Sequence, residues 1–337
     1  PAIKFPPRGT TGPVHISTLL NPILEILILD MSGSPLHNSF SNIGYCIDEP
    51  YKKRTRLYYR LRAIVHLLRL DKTSWFDTFF ALNDAMIKKY RPQLIIIIGS
   101  LIYEPFLRQL RTRYPNILVA YSFSNIVSNF ASINPAILEK YNVKGFSWDK
   151  DDCAKYNLIY QTPGFDLSVF SNKINSDICY DACFIGADKG RYKLVKAIES
   201  RLINSGFKTY IHITPDYGFT KILHKDYKDK IPYKQYLEVV ASSKCIIDFV
   251  QKGQVGTTMR TMEAIFSGKK LISNNARLKE YTFYHPNNIF IVDKDNIDLI
   301  PHFFKTPYIF ISEDILQKYS LENSIQTIIY NELLSSD

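Results

Sequence analysis

The residues best suited to chemistry are gathered between Gln251 and Lys270: Gly253, Gln254, Gly256, Thr257 and Thr258, then Arg260 and Glu263. An apolar run, Cys245 to Val250, precedes this stretch and another, Lys270 to Ser273, follows it. The order predicts a strand, a polar glycine loop, a helix and a second strand. Met259, Met262, Ile265 and Phe266 recur at helical spacing, and Gly268 sits where a helix C-terminal glycine belongs. Amides of such a loop point out of a helix N-terminus and make a natural anion site. Arg260 and Glu263, three residues apart, share one helix face. Amides and Arg260 suit a diphosphate; Glu263 suits the hydroxyls of a ribose. The competing reading is a loop that only caps its helix, with Arg260 and Glu263 paired to each other.

A second loop of the same kind follows the apolar run Tyr180 to Gly186, where Lys189 and Arg191 lead into a helix ending near Gly206. Both loops lie at expected carboxyl ends of strands, so Lys189, Arg191 and Arg260 can meet one diphosphate. No Gly-x-Gly-x-x-Gly follows a strand and no Gly-x-x-x-x-Gly-Lys-Ser/Thr occurs, which disfavours hydride transfer and P-loop phosphoryl transfer. The histidines show no metal spacing. Of two Asp-x-Asp pairs, Asp149/Asp151 reads as a helix start and Asp293/Asp295 as a turn rather than a metal chelate. The expectation is a site without metal or other cofactor.

These loops need a scaffold. At 337 residues the chain suits two domains. Hydrophobic residues make up 46% and charged ones 22%, with 23 Tyr and 21 Phe, which describes a globular chain and excludes disorder. No apolar run is long enough to span a bilayer, and residues 1–22, a loose arm or appended segment, carry no secretory apolar core. Cys46, Cys153, Cys179, Cys183 and Cys245 lack paired metal spacing and read as reduced core thiols of a cytoplasmic protein. The net charge of +10 implies an anionic partner.

Ile23 to Asp30 reads as the first buried strand of a parallel sheet, opening into a polar loop through His37. Ligands bind at that end of open α/β sheets, so Asp30 and His37 are possible bases, as are Asp48 and Glu104. Tyr51 to Leu70 predicts a helix loaded with Lys52, Lys53, Arg54, Arg56 and Arg60, its core stripe being Leu57, Leu61, Ile64, Val65 and Leu68. The basic face suits either solvent or an anionic membrane surface. Gln93 to Gly99 and Asn116 to Tyr121 are central strands alternating with helices, the sign of a doubly wound sheet. The pattern relaxes near Pro163 to Ser176 and a second alternating series then begins. The expected organisation is 23–172, an acceptor-side Rossmann-like domain; 173–310, a donor domain; and 311–337, helices closing the chain or crossing back to the first domain.

Asp181 to Gly186, Ile231 to Tyr236, Gln254 to Glu263 and Lys270 to Asn275 resemble the donor domain of GT-B glycosyltransferases, above all bacterial enzymes of lipopolysaccharide, O-antigen and capsule assembly. The likeness covers roughly residues 177 to 295; the first half agrees only in architecture. It implies two Rossmann-like domains facing a cleft, a nucleotide-sugar donor and a saccharide or lipid-linked acceptor. Carried over residue by residue, Glu263 would hold the ribose, while Arg260, Lys189 and the Gly256-Thr257-Thr258 amides would hold the diphosphate. Ile231 and Tyr233 would sit by the base, with Gly186, Arg191, His212 and Gln254 completing the donor side. Val255 stands where retaining members often carry a second Glu. Two further classes remain open: a two-lobed binding protein without catalysis, and a nucleic-acid binder, the latter without a recognisable module around its basic cluster.

Overall fold

The computed structural model describes residues 25–30, 37–51, 60, 61, 64, 68, 82–99, 102–129, 133–170, 177–216, 224–250 and 254–333. Within them the chain builds two parallel sheets. The first holds β1 (Ile26–Leu29), β2 (Cys46–Asp48), β3 (Leu94–Ile98), β4 (Leu118–Phe123), β5 (Lys144–Ser147) and β6 (Ile159–Tyr160), in the order β2-β1-β3-β4-β5-β6. The second holds β7 (Tyr180–Ala187), β8 (Thr209–Thr214), β9 (Ser243–Asp248), β10 (Lys270–Ser273) and β11 (Ile289–Ile291), in the order β11-β10-β9-β7-β8. All pairings are parallel.

The continuous apolar runs explain the centres of both sheets. Helices cover both faces of β3, so Leu94, Ile95, Ile96 and Ile97 are completely buried. Each such side chain contributes about 2 kcal/mol of burial. One face of the first sheet is covered by the chain's last helix, Leu321–Leu333. Its Leu321, Ile325, Ile328 and Ile329 pack with Ile28, Phe40, Ile96 and Phe146. The outgoing and returning crossings run side by side: Phe165 N–H donates to Tyr319 O at 3.0 Å and Leu321 N–H to Phe165 O at 2.9 Å.

Two expectations need correction. Leu61, Ile64 and Leu68 are 43%, 50% and 61% exposed, although Leu68 N–H closes a helical turn on Ile64 O. An apolar stripe becomes core only when another element packs on it, and this one faces outward. Lys52, Lys53, Arg54 and Arg56 lie outside the described residues, as do Leu57 and Val65; Arg60 is exposed. Nor are all five thiols core groups: Cys183 and Cys245 are buried, but Cys46, at the start of β2, and Cys179, just before β7, are exposed. No helix among the described residues is long and apolar enough to cross a membrane.

Candidate active site between the two sheets

A cavity of about 430 Å³ opens where the carboxyl ends of the two sheets face each other. The second domain contributes Lys189, Arg191, Gln254, Thr257, Thr258 and Arg260; the first contributes Phe40, Ser122, Asn125, Trp148 and Gln161. The last helix adds Leu321, Ser324 and Ile325.

The cationic wall is built from strand ends. β9 terminates in Asp248, which is completely buried. Its Oδ2 accepts from the Thr258 hydroxyl and, at 3.0 Å, from the Thr261 hydroxyl. Thr258 is also the N-cap of the helix Met259–Phe266, accepting the Thr261 N–H at 3.2 Å. The other Asp248 oxygen faces Arg260 Nη1 at 3.6 Å, and Arg260 Nε donates to Ile185 O at 3.1 Å. One carboxylate thus fixes the helix start and the guanidinium together. Gly186 leaves room for this: a Cβ there would lie 2.9 Å from Arg260 Nη2. Arg191 is spent on backbone, donating to Asp188 O at 3.0 Å and to Ala187 O and Phe249 O. It staples the ends of β7 and β9. Lys189 sits in a left-handed turn with φ 45°. Partial desolvation, then Arg191 and Arg260, push its ammonium pKa down. Crowded cations of this kind favour an anion between them.

Other expected site residues stand elsewhere. Glu263 is 1% exposed and lies behind the cavity wall, where its carboxylate accepts from Tyr233 (3.1 Å) and Tyr236. Burial pushes its pKa up to about 7, against the lowering pull of Tyr236 and Arg260. The ion pair of Arg260 is with Asp248, not with Glu263. His212 is buried, with Nε2 2.7 Å from Asp229 O, and Ile231 packs on the second core. On the acceptor side, Asp30 and His37 approach to 3.8 Å at the end of β1, outside the cavity lining. Asp48 accepts from Glu49 N–H. Glu104 binds Lys140 at 2.6 Å and Tyr141 at 2.9 Å; the Lys140 bond chiefly holds its pKa down, against desolvation. Among the described residues the lining carries no carboxylate and no imidazole.

Sequence reasoning missed the contact that joins the domains. Asp149 Oδ1 caps the helix Lys150–Tyr156, while Oδ2 accepts Gly256 N–H at 2.9 Å and Val255 N–H at 3.3 Å. Asn275 Nδ2 holds the carbonyls of Val255 and Gly256 from the other side, at 3.0 and 3.2 Å. Gly256 is pressed on Trp148, whose Cζ3 would lie 2.1 Å from an added Cβ. The Gly256 amide is therefore already donated to a carboxylate. Only the glycine hinted at this close approach. Asp293 closes a turn, accepting Asp295 N–H at 2.8 Å. No cluster of three or more His, Cys, Asp or Glu suited to a metal occurs among the described residues.

Solved structures share this architecture. The chain is similar to a sucrose-phosphate synthase from Thermosynechococcus elongatus, with 12% identity over 94% of this chain and 100% of that one and a TM-score of 0.51. It is also similar to an alpha-glucosyltransferase in complex with UDP and a 13-mer DNA, at 12% identity, 91% and 98% coverage and TM-score 0.55. AviGT4, a glycosyltransferase involved in avilamycin A biosynthesis, aligns at 10% identity, 94% and 99% coverage and TM-score 0.55. Two parallel-sheet domains across a cleft, closed by C-terminal helices, are the GT-B glycosyltransferase fold. No protein-family model and no curated protein matches the sequence.

Proposed function

We propose that the chain is a glycosyltransferase that takes its sugar from a nucleotide-sugar and passes it to a glycan or lipid-linked saccharide in bacterial surface polysaccharide synthesis. The observation that carries this reading is the cationic wall of Lys189 and Arg260, preset at strand ends inside an interdomain cavity of the GT-B fold. One neighbour of that fold is described with UDP bound. The surface-polysaccharide role rests on the motif resemblance in residues 181–186, 231–236, 254–263 and 270–275. A glycosyl transfer needs its leaving diphosphate stabilised as charge develops, and a fixed guanidinium with helix-end amides supplies that without a metal. On the acceptor side, the Asp30–His37 pair, which lies outside the lining but at the start of the helix that brings Phe40 into it, is our choice to receive the hydroxyl proton. The acceptor's lipid would be met by Lys52, Lys53, Arg56 and Arg60, each contributing about 1 kcal/mol near an anionic bilayer. The exposed Leu61, Ile64 and Leu68 favour such a contact.

A thermal-shift screen of nucleotide-sugars with UDP, GDP, dTDP and CMP, in EDTA, tests the reading. A stabilising donor that the purified protein slowly hydrolyses is the expected result; stabilisation without hydrolysis would indicate a binding protein, and dependence on manganese would contradict metal independence. Vesicle sedimentation that ignores anionic lipid and salt would remove the membrane contact.

A further inference from the structure

The cavity wall contributed by the first domain is neutral, and one of its groups is left short of a partner. Gln161 follows β6 directly, and its N–H donates to Ser147 O at 3.0 Å, which fixes the backbone at the sheet's carboxyl end. Its side chain is 6% exposed and lines the cavity. Nε2 donates to Ser122 Oγ at 2.6 Å, whereas Oε1 has no hydrogen-bond partner. Turning the amide over changes which atom is left, not that one is left. Buried polar groups are almost always satisfied, so an unpaired atom on a residue of the cavity wall calls for a ligand. Across the cavity, Thr257 is 2% exposed and its hydroxyl is likewise without a partner. It stands between the Gly256 amide held by Asp149 and the helix cap Thr258.

We propose that Gln161 and Thr257 form the subsite for the transferred sugar, each taking a ring hydroxyl of the nucleotide-sugar. This rests on the glycosyltransferase reading above. A sugar hydroxyl both donates and accepts, so it satisfies the Gln161 amide in either orientation, and Thr257 as well. The placement follows from connectivity. The sugar is bonded to the diphosphate, so groups sharing a cavity with Lys189 and Arg260 meet the sugar next. The guanidinium and ammonium recognise what every nucleotide-sugar has in common. Gln161, positioned through Ser122, distinguishes one sugar from another, because a buried amide rejects a ring that leaves it unpaired.

The test is calorimetry on the full chain with UDP, GDP and dTDP, and then with the glucose, galactose and N-acetylglucosamine esters of whichever nucleotide binds. The quantity read is the ratio of ester to free-nucleotide dissociation constants. In Gln161→Leu that ratio should rise roughly tenfold for the preferred sugar, with the free-nucleotide constant unchanged. Gln161→Asn, which keeps an amide but shortens its reach, should show the same loss and serves where the leucine variant does not fold. A ratio unchanged within about twofold would overturn the subsite, as would equal weakening of nucleotide and ester, which is the mark of a merely structural role. A wild-type chain that binds none of these three and no CMP either would instead defeat the glycosyltransferase reading.

Discussion

The two walls of the cavity are built on opposite principles. On the donor side both guanidinium groups are anchored: Arg191 by three carbonyls, Arg260 by Asp248 and Ile185 O. On the first-domain side the groups are neutral, and Gln161 keeps one atom unpaired. The difference reflects what each must do. A guanidinium that stabilises developing charge has to be in place before the reaction, since reorganising it would cost what it gains. A neutral amide sorting hydroxyls needs a rigid seat and an open valence. Charge is thus held by the second domain, while the sugar subsite pairs Gln161 of the first with Thr257 of the second.

The contrast breaks most severely at Asp248. Asp248→Ala leaves Arg260 without its counter-charge and strips the Thr258 and Thr261 hydroxyls of their acceptor, at a cost of about 3–5 kcal/mol in urea unfolding. A loss below about 1 kcal/mol would show that the anchor is dispensable.

Glu263 gives the next largest effect, and it depends on pH. Its folded pKa near 7 lies above the ordinary 4.5. Between those values the folded chain binds more protons than the unfolded chain, so the group's contribution to stability is lost as pH rises through 7. Glu263→Gln escapes this, and its stability relative to wild type should improve by about 3 kcal/mol from pH 4.5 to 8. A pH-independent difference would mean that the carboxylate is solvated. Weakened nucleotide binding in the folded variant would return Glu263 to the ribose, after surrender of its Tyr233 and Tyr236 contacts.

The smallest expected effect lies where the walls touch. Gly256→Ala drives a methyl into Trp148 and should cost about 1–3 kcal/mol. Trp148→Ala should relieve part of that, and a double-mutant cycle without coupling would deny the interdomain contact.

Much of this was legible because it is local. β1 and β3 are uninterrupted apolar runs, and Lys189 and Arg260 follow apolar strands at short range. β2, Cys46–Asp48, and β5, Lys144-Gly145-Phe146-Ser147, carry no such run and are strands only because neighbouring strands pair with them. Asp248 reads only as a polar residue inside the apolar run Cys245 to Val250; that it ends β9 and anchors Arg260 depends on a helix start closing over it. Asp149 reads as a helix cap, yet it also meets Gly256, 107 residues on. Gln161 offers no sequence signal, since its unpaired atom is defined only once Ser122 and the cavity exist. The apolar stripe at Leu61, Ile64 and Leu68 misled for the opposite reason: periodicity reports a face, not what covers it.

The most direct test of the central claim is isothermal titration of wild type and Arg260→Ala with UDP, GDP and dTDP in EDTA. Wild type should bind one of the three, and Arg260→Ala, still folded, should bind it ten- to a hundredfold more weakly, roughly 1.5–3 kcal/mol for a charge-assisted contact. A folded Arg260→Ala chain that binds the nucleotide as tightly as wild type would contradict that claim.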